Sequence, residues 1–249
     1  MLKYYIPYNL DSPERTIFHK KLIQKKLFLR RLYEEWYTFF IRVKEDLPQG
    51  KLIELGSGGG FLKEIDRNVI CTDILDLPTN DLTFSALDMP FKNEEVSAIF
   101  MIDTFHHVPD SELFLKEAER VLMTNGVLIM VEPANSLWGR FIYKNFHHEP
   151  FEVGGDWKIP ENGPLSGANG ALPWIVFERD KERFDTLFPC LTVIDMKYHT
   201  PLRYLVSGGV SFRQLVPDFS YPFFKSLDKI LSGISKNLSM FVTIKLQKR

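Results

Sequence analysis

The sequence predicts an α/β fold on a mostly parallel sheet, covered at its N-terminus by helices. Three observations carry this reading. From Lys51 onward, short apolar runs alternate with helical patterns, the texture of βαβ units. A glycine-rich turn, Gly56-Ser57-Gly58-Gly59-Gly60, separates the first apolar run from the first helical pattern. Residues 11–45 contain no glycine, no proline after Pro13, and apolar side chains at helical spacing. A chain of 249 residues accommodates one large α/β domain, here divided into a cover over 1–46 and the main domain over 47–249.

Each element follows from its local pattern. In the cover, Ile17, Leu22, Ile23, Leu27, Leu32, Trp36 and Phe40 mark the buried helical face. The basic cluster Lys20, Lys21, Lys25, Lys26, Arg30 and Arg31 is expected to be a solvated face, with peripheral contact to a membrane surface or an anionic acceptor as the alternative. Lys51–Leu55 reads as strand one, 59–67 as a helix, and Val69–Thr72 as strand two. Strand three is placed at 84–87 and strand four at 98–102. A helix over 111–123 is ended by Asn125-Gly126, a common C-terminal stop, and strand five over 127–131 is closed by Pro133. The rhythm then breaks over 134–172, rich in Gly, Pro, Asn and aromatics. So long a stretch inside a compact domain points to a functional loop. A helix at 174–187, a strand at 191–198, an irregular-to-helical stretch at 200–238 and a last strand at 240–246 complete the chain.

Bulk properties narrow the function. A net charge of -1 gives no electrostatic reason to bind nucleic acid. The 2 cysteines, Cys71 and Cys190, are too few and too far apart for a disulfide framework or a metal centre. The first ten residues lack the layout of a signal peptide, and no apolar run has the length of a membrane span, so a cytoplasmic location is the default expectation.

The glycine turn carries the chemistry. Glycines let a backbone turn sharply and lie against a ligand where a Cβ would collide. A dinucleotide fingerprint needs a third glycine where Phe61 stands, which counts against a nicotinamide-dependent oxidoreductase. Glu54, ending strand one, suits the cationic amino-acid portion of S-adenosylmethionine better than a pyrophosphate. Asp73 closes strand two about 20 residues later, where a carboxylate accepts ribose hydroxyls; Asp76 and Asp81 are its rivals. Asp88-Met89-Pro90-Phe91 brings a second acid and a backbone amide to the end of strand three.

Over residues 51–133, about a third of the chain, the sequence resembles the class I S-adenosylmethionine-dependent methyltransferases of the ubiquinone/menaquinone-biosynthesis type. Beyond the glycine turn and its acids, 103–110 resembles the family's loop after strand four, and 120–127 its turn before strand five. The resemblance implies a Rossmann-like sheet of seven strands with the last antiparallel and S-adenosylmethionine as cofactor. It says little about the acceptor, for which a small-molecule, sugar or lipid-linked compound rather than nucleic acid is the expectation. It implies cofactor contacts from Glu54, Gly56, Ser57, Gly58, Gly60, Asp73 for the ribose, Asp88 and Met89 for the adenine, and Asp103. In the family's simplest members strand five leads quickly to a helix, and strands six and seven form a tight hairpin. Here 134–172 and 200–238 interrupt both places and are expected to build an acceptor lid.

Methyl transfer to a hydroxyl or carbon also wants a general base. His106 and His107, just past strand four, and His147 and His148 within the first insertion are the candidates, with Asp103 behind them. For each histidine the competing role is structural, capping loop carbonyls or walling the cavity. No metal site is expected, because adjacent histidines such as His147-His148 rarely chelate one ion. Trp138, Trp157 and Trp174 either shape an acceptor cleft or serve as local cores, and Ser207-Gly208-Gly209 reads as a turn. Methylation of oxygen is slightly favoured; a non-catalytic scaffold is the competing function.

Overall fold

A computed structural model describes residues 3–147, 149–160 and 163–249. Its centre is a seven-stranded sheet: β1 (Lys51–Leu55), β2 (Val69–Asp73), β3 (Leu82–Thr83), β4 (Val96–Ile102), β5 (Leu122–Pro133), β6 (Leu191–His199) and β7 (Phe241–Lys248), in the spatial order β3-β2-β1-β4-β5-β7-β6. The first five strands pair in parallel, and β7 runs antiparallel to both β5 and β6. Every residue of β4 is buried, as expected of a parallel strand covered on both faces.

Chain direction across the sheet reverses between β1 and β4. That is the switch point at which the loops leaving two adjacent strand ends diverge and open a crevice. Both expected motifs, the glycine turn and 103–110, leave the sheet there.

The cover consists of α1 (Pro13–Lys25) and α2 (Leu27–Val43). Ser12 caps α1, accepting the Arg15 N–H, and Pro13 occupies its first turn. The buried face of α2 packs on the sheet itself: Phe40 stacks on Phe100 of β4 at 5.1 Å, and Trp36 lies 5.0 Å from Phe241 of β7. α2 is thus part of the core, whereas α1 lies over the crevice. Lys26, expected on a solvated face, is buried between the two helices. Its ammonium donates to the carbonyls of Gly209 and Phe212, and burial lowers its pKa to about 8.

Several boundaries differ from the sequence reading for local reasons. Strand three is the short exposed edge pair Leu82–Thr83, ending before residues 84–87 where the pattern had placed it. The helix after the glycine turn, α3, is only Phe61–Ile65. α4 (Ser111–Val121) ends sooner because Leu122 already pairs with Val96; the chain then loops out through Asn125 at φ 67 and rejoins the sheet at Val127. After α5 (Leu137–Phe146), the helix expected at 174–187 splits into α6 (Leu172–Trp174), a π-helical turn at Ile175–Arg179 and α7 (Lys181–Leu187). The stretch at 200–238 holds α8 (Arg203–Ser207), capped by Gly208 at φ 74, and α9 (Tyr221–Ile234). No described helix is long and apolar enough to cross a membrane.

Candidate active site

At the switch point lies a cavity of about 600 Å³, within the roughly 300–1,000 Å³ range of small-molecule sites. The glycine turn forms one wall. Gly56 sits at φ 66, and a Cβ there would lie 2.5 Å from the Thr104 hydroxyl, so only glycine lets the turn meet the loop after β4. Gly58, at φ 48, has no side chain between its backbone and the space under α1. Ser57 knits the turn to β2: its N–H donates to Thr72 O at 2.9 Å and its Oγ accepts the Thr72 N–H at 3.0 Å. Gly60, at φ 67, starts α3 and faces Thr79 rather than the cavity.

Asp73 ends β2 and lines the cavity. Its carboxylate accepts the Gly58 N–H at 3.1 Å and the Leu75 N–H at 3.0 Å, while burial raises its pKa. Its rivals are placed elsewhere: Asp81 pairs with Lys63 on the sheet edge, and Asp76 is exposed and lines nothing. Glu54 does not line the cavity. It lies beneath the turn, 2% exposed, with the Tyr37 hydroxyl and Cys71 thiol as hydrogen-bond partners. Burial pushes its pKa up to about 8, and the nearby Asp73 charge adds to the rise.

Asp88 and Met89 also lie outside the lining. Asp88 is exposed, and the Met89 N–H is taken by Glu117 at 3.0 Å. Because β3 ends at Thr83, the residues delivered to the crevice are Phe84, Ser85, Ala86 and Leu87. The overlooked signal is the exposed, patternless Leu82-Thr83, which leaves the strand's end earlier than hydrophobicity alone suggests.

Opposite the glycine turn, Asp103, His106 and His107 come from the loop after β4. Asp103 takes the left-handed conformation at φ 50, anchored by its N–H to Val131 O at 2.9 Å. Burial raises its pKa to about 8; the His106 charge opposes this rise, and Glu132 and Glu149 add to it. Asp103 is therefore mostly neutral near pH 7. His106 is held by two carboxylates, Glu132 at 2.6 Å from Nδ1 and Glu149 at 3.2 Å from Nε2. Burial opposes its charge, but these two anions win and hold it well above the usual histidine range. An imidazolium has no lone pair, so His106 in this state cannot accept a proton.

His107 is different. Its Nδ1 donates to Gly167 O at 3.0 Å, leaving the lone pair on Nε2, which lies 3.7 Å from Glu149 Oε1. Burial, reinforced by the His106 charge, lowers its pKa to about 4, so it is neutral. His147 also lines the cavity, with Nδ1 3.5 Å from Glu149 Oε2. His148 lies outside the described residues.

The remaining walls come from distant parts of the chain. Tyr33, Tyr37, Tyr143 and Tyr204 supply aromatic surface, and among the described lining residues there is no tryptophan. Trp157, for example, is a local core residue stacked on Phe188, with Nε1 donating to Asp180 at 2.9 Å. Thr16, His19, Lys20 and Ile23 of α1 roof the glycine turn, and 163–170 closes the acceptor side. Asp11 clasps the two covers together, accepting the Leu165 and Ser166 N–H groups at 2.8 Å and the Ser166 hydroxyl at 2.7 Å. We expect Asp11→Ala to speed amide exchange at Leu165 and Ser166 at least tenfold, roughly 1.4 kcal/mol or more of local opening. Unchanged exchange there would show that the clasp does not hold the loop.

Comparison with known proteins accords with this geometry. Residues 53–130 match the family described as "Methyltransferase domain". The geranyl diphosphate C-methyltransferase of Streptomyces coelicolor A3(2) is similar in structure, with a TM-score of 0.50 at 14% identity over 100% of this chain and 93% of that one. So is a chain of the complex between the Haloferax volcanii Trm112 methyltransferase activator and a methyltransferase, with a TM-score of 0.51 at 12% identity over 98% and 99%. The chain has the fold of the class I S-adenosylmethionine-dependent methyltransferases, and its residues 53–130 match their domain. A search among curated proteins gave no match.

The cavity has the features that S-adenosylmethionine, the cofactor of proteins with this fold, requires. Glycines with positive φ present backbone rather than side chain to the cavity, and the Asp73 carboxylate lines it at the adjoining strand end, where it could accept hydroxyls. Gly56, Ser57, Gly58, Asp73 and the 84–87 segment are the residues placed to hold it.

Proposed function

We propose that this methyltransferase methylates an oxygen of a small, largely apolar molecule bound between the tyrosine walls and the His107–Glu149 side of the cavity. The observation that carries the reading is His107: a neutral imidazole, its Nδ1 committed to Gly167, with its Nε2 lone pair in the cavity that the glycine turn also lines. S-adenosylmethionine, when bound, supplies the methyl group on a sulfonium. The chain's own work is to orient the acceptor, exclude water beneath α1 and 163–170, and receive the hydroxyl proton on the histidine side. Tyr33, Tyr143 and Tyr204 favour a flat or branched apolar body. Among the described lining residues there is no arginine and Lys20 is the sole lysine, which disfavours a diphosphate-bearing acceptor.

Mass spectrometry of cell extract incubated with the protein and an isotopically labelled methyl donor tests the reaction. A labelled ether or ester supports the proposal; label on nitrogen or carbon alone, or none with cofactor still bound, refutes it. On the donor side, Asp73→Ala should weaken S-adenosylhomocysteine binding by roughly 1.5–3 kcal/mol, about 10- to 150-fold, through loss of a buried charged hydrogen bond. Calorimetry showing unchanged affinity would remove Asp73 from the ribose site.

A further inference from the structure

The geometry points to a binding site for a first-row divalent cation, zinc or a metal of similar ligand preference, formed by His106, His107 and Glu149 on the acceptor side of the cavity. One donor atom from each of the three lies within 4.8 Å of the others. The His106 Nε2 to Glu149 Oε2 separation is 3.2 Å, and that from His107 Nε2 to Glu149 Oε1 is 3.7 Å. Ligands about 2.0–2.2 Å from a shared tetrahedral zinc stand about 3.3 Å apart, so the donors, now within 4.8 Å of one another, must draw together around the ion.

Partners behind the ligands are already in place. The Nδ1 of His106 faces Glu132 at 2.6 Å, and the Nδ1 of His107 faces Gly167 O at 3.0 Å. Both partners are acceptors, so each Nδ1 carries hydrogen and coordination falls to Nε2. This is how metal-binding histidines are oriented in general. An arriving cation displaces the Nε2 proton of the His106 imidazolium to water. Glu132 is itself fixed, taking the Thr104 and Phe105 N–H groups at 2.9 and 2.7 Å. A proton between His106 and Glu149 would account for those two residues alone. It gives no reason for His107 to turn its Nε2 toward the same carboxylate.

Neighbours in sequence seldom chelate together, but here His106 and His107 sit on a single 3-10 turn with their rings 4.3 Å apart, and the third donor arrives from the insertion. His147 Nδ1 accepts the Glu149 N–H at 3.4 Å and helps place that donor. Two imidazoles and one carboxylate suit zinc, iron or manganese rather than magnesium or calcium, which prefer all-oxygen sets. All three donors also line the cavity, leaving coordination positions open toward an acceptor, as catalytic metal sites do. A cation there would take the His107 Nε2 lone pair and replace its role as base: it would bind the acceptor's hydroxyl oxygen and lower its pKa, the proton leaving to water. That role rests on the oxygen-methylation reading above; cation binding itself does not.

The test uses the untagged full chain, stripped with chelator and titrated with cobalt(II) by visible absorption and with zinc chloride by calorimetry. S-adenosylhomocysteine binding is measured in parallel. One equivalent of metal is expected, with His107→Gln and Glu149→Gln each weakening it at least tenfold and Glu132→Gln by about tenfold. Retained S-adenosylhomocysteine binding and a cooperative melt show that the variants are folded. Absence of stoichiometric metal binding by folded wild type, or binding undiminished in both His107→Gln and Glu149→Gln, overturns the site while leaving the methyltransferase reading intact. Metal bound without any S-adenosylhomocysteine affinity would do the reverse.

Discussion

Glu132→Ala is expected to destabilise the protein by about 3–5 kcal/mol, the cost typical of removing one partner from a buried ion pair. Glu132 is fully buried near the end of β5. One carboxylate oxygen accepts the backbone N–H groups of Thr104 and Phe105, and the other meets His106 Nδ1. Alanine would strand the backbone N–H groups of Thr104, Phe105 and His106 and leave the His106 imidazolium with only Glu149 for compensation. The damage should be local in origin, since these contacts hold the loop that carries Asp103, His106 and His107. Urea denaturation measures the loss directly. In a chain of this size it should appear as a fall in Tm of roughly 6–20 °C. Glu132→Gln, keeping the shape and one acceptor oxygen, should fall between wild type and alanine. A loss below about 1 kcal/mol in Glu132→Ala would mean that the loop after β4 is positioned by something else.

How much of this was legible in the sequence depends on where each signal is stored. β1, β2, β4 and β5 are buried strands, and burial on both faces writes them as apolar runs. β3, two exposed residues on the sheet edge, writes no pattern, and its early end brings 84–87 rather than Asp88 and Met89 to the cavity lining. The glycine turn and Asp73 were legible because backbone conformation and strand-end position are local properties. Glu54 was legible as a site acid but not as a buried one: its partners Tyr37 and Cys71 come from α2 and β2, and no local pattern records that. The same holds for Tyr33, Tyr143 and Tyr204, which the fold gathers from three helices. Glu132 had one clue, an acid ending an apolar strand directly before Pro133. An acid at that position is either exposed at the strand's end or committed to the neighbouring loop, and here it is committed.

Glu54 also gives the pH dependence a contribution with a defined sign. Its folded pKa of about 8 stands above the ordinary glutamate value of 4.5 because burial disfavours the charged form. Between those two values the folded chain keeps the proton and the unfolded chain does not, so stability falls as pH rises. The slope for one proton is about 1.4 kcal/mol per pH unit, which accumulates to about 4–5 kcal/mol across the window. Glu54→Gln, which cannot ionise, should lack this component. The difference between wild-type and Glu54→Gln unfolding free energies should therefore shrink in favour of wild type toward pH 5 and widen against it toward pH 8. A difference that stays flat across this range would place the Glu54 pKa near its ordinary value. The same variant decides what the residue does for the cofactor. A neutral carboxyl supporting the turn from beneath predicts S-adenosylhomocysteine affinity within a few-fold of wild type at pH 7. An ionised partner of the cofactor's ammonium group predicts a loss of tenfold or more, since a charge-assisted hydrogen bond in a buried site contributes about 1.5–3 kcal/mol. With the carboxyl outside the cavity lining and bonded to Tyr37, the smaller effect is expected.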